Sequence, residues 1–316
     1  MKIAPKNNGF QRDIFWNTVY DYARTDPDIV IISADMGAPS LDRFRRDMPT
    51  QFVNVGIAEQ NAIMLATGLV LTGKKVFTYA IAPFITLRCL EQIRVENAIM
   101  RTPITIVGVG AGFGYDDSGP THHMIEDIAI MRAMPHIRID SISDGTMAAH
   151  FAKISCAADK TITNYVRLDR QDQGSIYPDG TDFSRGLLLL RQEGDTCLVT
   201  TGSMTLTALA IADSLAKKGL RVGVMDLFNF PINESAFLET IRPFSRIITI
   251  EEHLLAGGLG STVLEVVNDH QASISVHRFG ISMDQGYCYK YGGREVIRQH
   301  YGLDKKTLLK KISTLV

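Results

Sequence analysis

Cysteine is scarce in this sequence. The four in 316 residues, Cys89, Cys156, Cys197 and Cys288, are scattered with no C-x-x-C pair, which excludes a disulfide framework or a zinc knuckle and leaves four reduced thiols. An excess of one charge is also lacking. With 33 Lys and Arg against 34 Asp and Glu, the net of −1 gives no basic field to hold a phosphate backbone or an anionic membrane, so no nucleic acid is expected as a partner. No apolar run approaches the ~18 residues a membrane helix requires, and the opening MKIAPKNNGF has no signal-peptide core. The expectation is a cytoplasmic chain with no membrane contact.

Several catalytic signatures are missing too. GLVLTGKK at 68–75 approaches a P-loop but ends in Lys75 rather than the Ser or Thr that would hold magnesium. Gly108, Gly110, Gly112 and Gly114 recur at every second residue, fit no G-x-G-x-x-G register and read as a flexible loop beside a ligand. There is no G-x-S-x-G elbow. His122 and His123 are adjacent and point apart on a helix, which makes them a poor metal pair. No metal site is read on this chain.

What is present is a chain 45% apolar, long enough for two domains at about 100–200 residues each. Strand-like apolar runs alternate with helix-period segments throughout, so the fold class is α/β: two domains, each a mostly parallel sheet flanked by helices. Strands are expected at 29–33, 52–54, 76–79, 104–109, 137–140 and 165–168, then at 196–201, 221–226, 247–251 and 274–278. Helices are expected from Ala58, over 204–218, from Asn233 and from Gly260. Ala58, Ala62, Leu65, Ala66 and Leu69 share one helical face. The polar, turn-rich stretch from Gln171 through Gln173 to Pro178 is linker chemistry. The division read from it is 1–172, a linker over 173–190, and 191–316.

One segment carries chemistry. Residues 54–60, NVGIAEQ, read as a strand, a glycine turn and a helix whose first turn holds Glu59. A carboxylate there is ordinarily a dipole and capping device. Its neighbours Val55, Ile57, Ala58, Ala62 and Ile63 are apolar or small, so the alternative is a desolvated carboxyl that tends to keep its proton and suits proton exchange with a nitrogen heterocycle.

Downstream come APFITLRCLEQIRVENAIM (82–100), AGFGYDDSGPTHHMIEDIAIMRAMP (111–135) and EEHLLAGGLGS (251–261). With these blocks in this order, the chain resembles the central and C-terminal parts of the transketolase family of thiamine-diphosphate enzymes. Its relatives include 1-deoxyxylulose-5-phosphate synthase and the beta chains of 2-oxo-acid dehydrogenase E1 components. The resemblance covers nearly the whole chain. It implies a pyrimidine-binding domain to about residue 170, followed by the family's C-terminal domain.

On this resemblance Glu59 matches the glutamate that hydrogen-bonds N1′ of the cofactor's aminopyrimidine and favours the imino form that generates the ylide. Phe84 matches the aromatic stacked on that ring, and Ile57 lies in the same turn as a cofactor contact. Asp35, in SADMG at a strand end, matches an acidic residue near the cofactor, with a helix cap as its rival reading. His122 of GPTH matches a histidine beside the reacting carbonyl. Arg170 matches an arginine that holds a substrate phosphate, with Arg167 as rival in a neighbouring register. Where many relatives have Asp just before the GPTH block, this chain has Ser118 behind Asp116 and Asp117, so Ser118 and Asp117 are the substrate-side candidates.

Full-length relatives hold Mg²⁺ and the diphosphate on an N-terminal domain with a GDG motif. This chain has only SDG (143–145) and PDG (178–180). The resemblance therefore implies the C-terminal half of a split transketolase, transferring a two-carbon ketol unit from a ketose to an aldose. Its partner would be a diphosphate-binding subunit carrying the Mg²⁺ ligands, in an α2β2 heterotetramer acting on a sugar or sugar phosphate. An E1-beta-like subunit acting on a 2-oxo acid and a non-catalytic scaffolding paralogue are the alternatives.

Overall fold

A computed structural model describes residues 9–157, 161–172 and 174–316; Gln173, read as part of the linker, lies outside them. The first sheet takes β1 (Ile29–Ser33), β2 (Phe52–Asn54), β3 (Lys75–Ile81), β4 (Thr105–Val109), β5 (Ile137–Ser141) and β6 (Thr163–Leu168). Its helices are α1 (Gln11–Ala23), α2 (Pro39–Asp47), α3 (Glu59–Leu71), α4 (Ala82–Ile85), α5 (Leu90–Gln92, running into a π-helical turn Ile93–Ile99), α6 (Asp127–Arg132) and α7 (Gly145–Cys156). The second sheet takes β7 (Leu187–Arg191), β8 (Thr196–Thr200), β9 (Gly223–Leu227), β11 (Arg246–Leu254) and β12 (Ser275–Ile281). Around it lie α8 (Met204–Ala216), α9 (Glu234–Ile241), α10 (Leu259–Asp269), α11 (Arg294–Tyr301) and α12 (Lys305–Ile312). One short strand, β10 (Asn229–Phe230), leaves this half of the chain to pair antiparallel with β5.

The first sheet runs β10-β5-β6-β4-β3-β1-β2 and is parallel apart from β10; the second runs β12-β11-β8-β9-β7 and is parallel apart from β7. Strands buried on both faces explain the unbroken apolar runs such as IVIIS at 29–33. Each expected strand has its counterpart here. Two details differ from the sequence reading. Residues 187–190, read as linker, form most of the edge strand β7, paired antiparallel with β9. The connection before it is also packed rather than loose, because Tyr177 and Phe183 are buried and Tyr177 donates to Asp226 Oδ2 at 2.6 Å.

The hydrophobic core is layered. Phe15 and Trp16 of α1 pack against Phe77 and Tyr79 of β3 on one face of the first sheet, in a cluster that also takes in Phe151 of α7. From the other face a continuous cluster runs through Ala62, Ile63 and Tyr165 to Leu227, Phe237 and Val263, so the two sheets share a core. On α3 the buried side is Glu59, Ala62, Ile63, Ala66 and Thr67, with Leu65 and Leu69 at its edge. That is the expected face, turned slightly toward Ile63.

Candidate active site

Apart from Arg167, which lies within β6, every candidate residue in the first half of the sequence follows the C-terminal end of a strand of the first sheet, where open parallel sheets present ligand groups. Asp35 follows β1, Ile57 and Glu59 follow β2, Phe84 follows β3, Asp117, Ser118 and His122 follow β4, and Arg170 follows β6. Residues distant in the chain thereby share one edge.

Asn54 shapes the turn into α3. Its Oδ1 accepts from the backbone N–H of Gly56 and of Asp35, both at 3.0 Å, and Gly56 turns the chain at φ +72°, a conformation open to glycine. Glu59 then enters the first turn at 3% exposure. Of the apolar neighbours read from sequence, Ala62 and Ile63 are buried whereas Ile57 is largely exposed, and the carboxylate is not alone: Arg88 Nη1 donates to Glu59 Oε2 at 2.6 Å. The same guanidinium lies over Phe84, its Cζ 4.6 Å from the ring centroid. Sequence reasoning passed over Arg88 inside the 82–100 block. The signal was its position four residues after Phe84, in the turn that follows α4 within the same block.

A line of contacts runs from there. The His122 ring meets Phe84 edge-on at 5.1 Å and Tyr115 at 5.9 Å, while its Nδ1 lies 3.0 Å from Thr121 Oγ1. Arg170 lies over Tyr115 at 4.5 Å and donates to Asp117 Oδ1 at 2.7 Å; Ser118 Oγ donates to the same oxygen at 2.8 Å. The Arg170 hydrogen bond holds the Asp117 carboxyl below its usual range. Glu59, Phe84, His122, Arg170, Asp117 and Ser118 thus form one chain of neighbours. Asp35 joins it only sideways, through Asn54 Nδ2 at 3.2 Å, beside the 79%-exposed Ile57. It caps no helix: the cap residue of α2 is Ala38.

At the Arg170 end a cavity of about 580 Å³ opens between Arg12, Asp116, Asp117, Arg170 and Gln171. Arg12 has no sequence signal, since α1 reaches this edge only through the fold. A larger groove of about 820 Å³ lies between α11 and α12, lined by Lys306, Lys310 and Lys311 among others, but it contains none of these residues. The rival Arg167 points inward: it is 5% exposed, and its Nε donates to Asp127 Oδ2 at 2.6 Å beside the Tyr165 hydroxyl at 2.8 Å. His123 is likewise buried against Phe113, away from His122.

The second domain holds this edge from behind. Glu251, Glu252 and His253 of the EEH block are all buried. Glu251 accepts from the N–H groups of Leu259 and Gly260 at the start of α10, and burial pushes its carboxyl up to about 7. Burial would raise Glu252 as well, but Arg294 and Arg298 hold it well below the carboxylate range. Glu252 also accepts from Phe113 N–H at 3.2 Å and fills the space where a side chain on Gly112 would stand, 2.5 Å from its Oε2. The glycine row read as a flexible loop is therefore a close-packed one. Arg294 completes the brace, with Nη1 2.7 Å from Asp169 Oδ2 and its backbone N–H donating to Asp116 Oδ2 at 2.7 Å. Asp169 and Asp116 are the neighbours of Arg170 and Asp117.

Residues 11–174 match the family described as "Transketolase, pyrimidine binding domain", and residues 186–308 match "Transketolase, C-terminal domain". The chain belongs to the transketolase family. It is 33% identical over 303 residues to one of the subunits of the apulose-4-phosphate transketolase of Phocaeicola vulgatus, covering 95% of each chain. It is 30% identical over 303 residues to the 6-deoxy-6-sulfo-D-fructose transketolase subunit SqwH of Clostridium sp. (strain MSTE9), covering 95% of this chain and 92% of that one. Among solved structures it is similar to a split-gene transketolase described as an inactive beta4 tetramer, with TM-score 0.84, 27% identity, and 97% and 98% of the two chains covered.

Membership in the transketolase family implies thiamine diphosphate as cofactor, and the site fits its pyrimidine end. A buried carboxylate and a half-buried aromatic face adjoin each other, and the planar guanidinium of Arg88 already spans both. A flat cationic heterocycle with an in-plane N–H has the shape and charge to do the same.

Proposed function

We propose that this chain is the pyrimidine-binding and substrate-binding half of a two-component transketolase, moving a two-carbon ketol unit from a ketose to an aldose. The observation that carries this is Glu59, buried in the first turn of α3 beside Phe84, with His122 against the same ring. Thiamine diphosphate bound there would supply the nucleophilic carbon that attacks the ketose carbonyl. Glu59 holds the proton at N1′ of the aminopyrimidine, Phe84 supports the ring face, and Ile57 and Asp35 flank the turn. His122 stands where it can give or take a proton at the substrate oxygen. Arg170 and Arg12 line the outer cavity as cations for an anionic end group, with Asp117 and Ser118 offering hydrogen-bonding oxygens to sugar hydroxyls.

The cofactor's diphosphate and Mg²⁺ are assigned to a partner subunit. Among the described residues no three His, Cys, Asp or Glu side chains gather as a metal site, and none of the site residues above is a grouped set of oxygen ligands. A partner also accounts for the exposed apolar side chains on the segments that carry Glu59 and Arg88: Ile57, Met64 and Leu87 all face solvent, as residues covered in an assembly would. An α2β2 heterotetramer in the cytoplasm is the assembly we assign; no helix is long and apolar enough to cross a membrane among the described residues.

Mixing the chain with its diphosphate-binding partner, thiamine diphosphate and Mg²⁺, and assaying ketose phosphates, free ketoses and 2-oxo acids, tests the reading. Two-carbon transfer to an aldose is expected. Oxidative decarboxylation of a 2-oxo acid would favour an E1-beta-like role, and an intact but silent assembly a scaffolding one. The chain alone is expected to show no turnover.

A further inference from the structure

Glu59 and Phe84 are the two groups that the proposed function gives to the cofactor's pyrimidine, and one side chain of this protein engages both. Arg88 Nη1 donates to Glu59 Oε2 at 2.6 Å, and its Cζ lies 4.6 Å from the Phe84 ring centroid. A guanidinium is planar and cationic, with N–H groups in its plane and a face that stacks on aromatics. An aminopyrimidine protonated at N1′ presents the same three features in the same order: an N–H toward the carboxylate, positive charge, and a flat face toward the ring. The Oε2 and the ring face that Arg88 covers cannot be given to both at once.

The local build allows the exchange. Gln60 Nε2 donates to the backbone oxygen of Arg88 at 3.1 Å, so the main chain is tied to α3 and only the side chain has to move. That side chain is 42% exposed, whereas Glu59 is 3% exposed; the guanidinium has a path to water and the carboxylate has none. A buried carboxylate without a cation is strongly disfavoured, and Arg88 removes that penalty until another cation arrives.

We propose that Arg88 is a built-in stand-in for the cofactor ring: it occupies the pyrimidine place on the chain itself and swings into solvent as the ring enters. The proposal rests on the reading of Glu59 and Phe84 as the pyrimidine site. It makes cofactor affinity a difference between two competing ligands of one carboxylate, lowered by the population in which Arg88 sits in place. Leu87, adjacent and 43% exposed, is among the exposed apolar side chains given to the partner, so docking and release of Arg88 meet at neighbouring residues.

The experiment is calorimetric titration of thiamine diphosphate into the assembled two-subunit protein with Mg²⁺, for the unmodified chain and for Arg88→Met, Arg88→Lys and Glu59→Gln. Removing the half-exposed arginine that competes for Glu59, with its stacking contact, should tighten binding about five- to thirty-fold in Arg88→Met. Arg88→Lys keeps a cation for Glu59 and guards against misfolding; it should also bind more tightly, by a smaller factor, because an ammonium does not stack flat. Glu59→Gln should weaken binding. If Glu59→Gln weakens binding but both Arg88 variants bind as the unmodified chain does, or more weakly, the stand-in role is overturned and the site reading survives. If Glu59→Gln leaves affinity unchanged, the site reading fails and the stand-in role with it.

Discussion

Arg167 and Arg170 are three residues apart, and each is paired with an aspartate at 2.6–2.7 Å. The first pair is buried, with side chains 6% and 0% exposed; the second lies at the rim, with 36% and 61% exposed. The contrast repeats on a larger scale. Glu252, with Arg294 and Arg298, is sealed between the domains, whereas Glu59 shares its partner Arg88 with solvent. Burial, rather than pairing, separates the two kinds of arginine. A sealed pair costs several kcal/mol to break because one charge is left stranded, so it fixes geometry. A rim pair can be exchanged for water or for a ligand at little cost.

The largest effect is expected where a buried carboxylate with a rim arginine carries chemistry. In the complete two-subunit enzyme, Glu59→Gln should lower turnover by about 10²–10⁴-fold, the usual range for a lost acid–base group, with the fold intact by circular dichroism. Hydrogen–deuterium exchange at C2 of bound thiamine diphosphate reports the affected step. Unchanged exchange would remove Glu59 from the mechanism.

Next come the arginines themselves. Arg167→Met strands Asp127 at 0% exposure and should cost about 3–5 kcal/mol in urea unfolding, while Arg170→Met should cost less than about 1 kcal/mol. Equal losses would erase the contrast between sealed and rim pairs. In kinetics the order should reverse. Arg170→Ala is expected to raise KM for phosphorylated sugars about ten- to a hundred-fold, the worth of a charged hydrogen bond, and to leave free sugars nearly unaffected. Equal weakening of both substrates would sink the phosphate assignment.

A last comparison sharpens the meaning of a sealed carboxylate. Burial pushes Asp226 up to about 7, and its neighbours are the hydroxyls of Ser143, Tyr177 and Thr205 with no cation among them; Glu252, with two arginines, goes the other way. A carboxyl raised in the folded state binds a proton that the unfolded chain has released, so its contribution is full below about pH 4 and is lost as pH rises toward 7. Asp226→Asn should therefore flatten the pH dependence of stability in that window by at most one proton, about 1.4 kcal/mol per pH unit. A slope unchanged in thermal melts between pH 4 and 8 would show that Asp226 titrates normally.

Local pattern determined much of this protein. Strand order along the chain, the α/β class and the buried face of α3 follow from periodicities that a backbone imposes over a few residues. The NVGIAEQ turn and the GPTH block are legible for the same reason, each being a contiguous strand–turn–helix or loop unit. Pairings between distant segments are not written locally. That Arg167 turns inward while Arg170 turns out, that Arg88 rather than apolar side chains alone meets Glu59, that Arg12 reaches the Arg170 cavity, and that Glu252 fills the space above Gly112 were decided by the tertiary structure. Parallel sheets bring strand ends together across tens of residues, and burial, set only once both sheets share a core, determines which of several chemically equal arginines remains free to act.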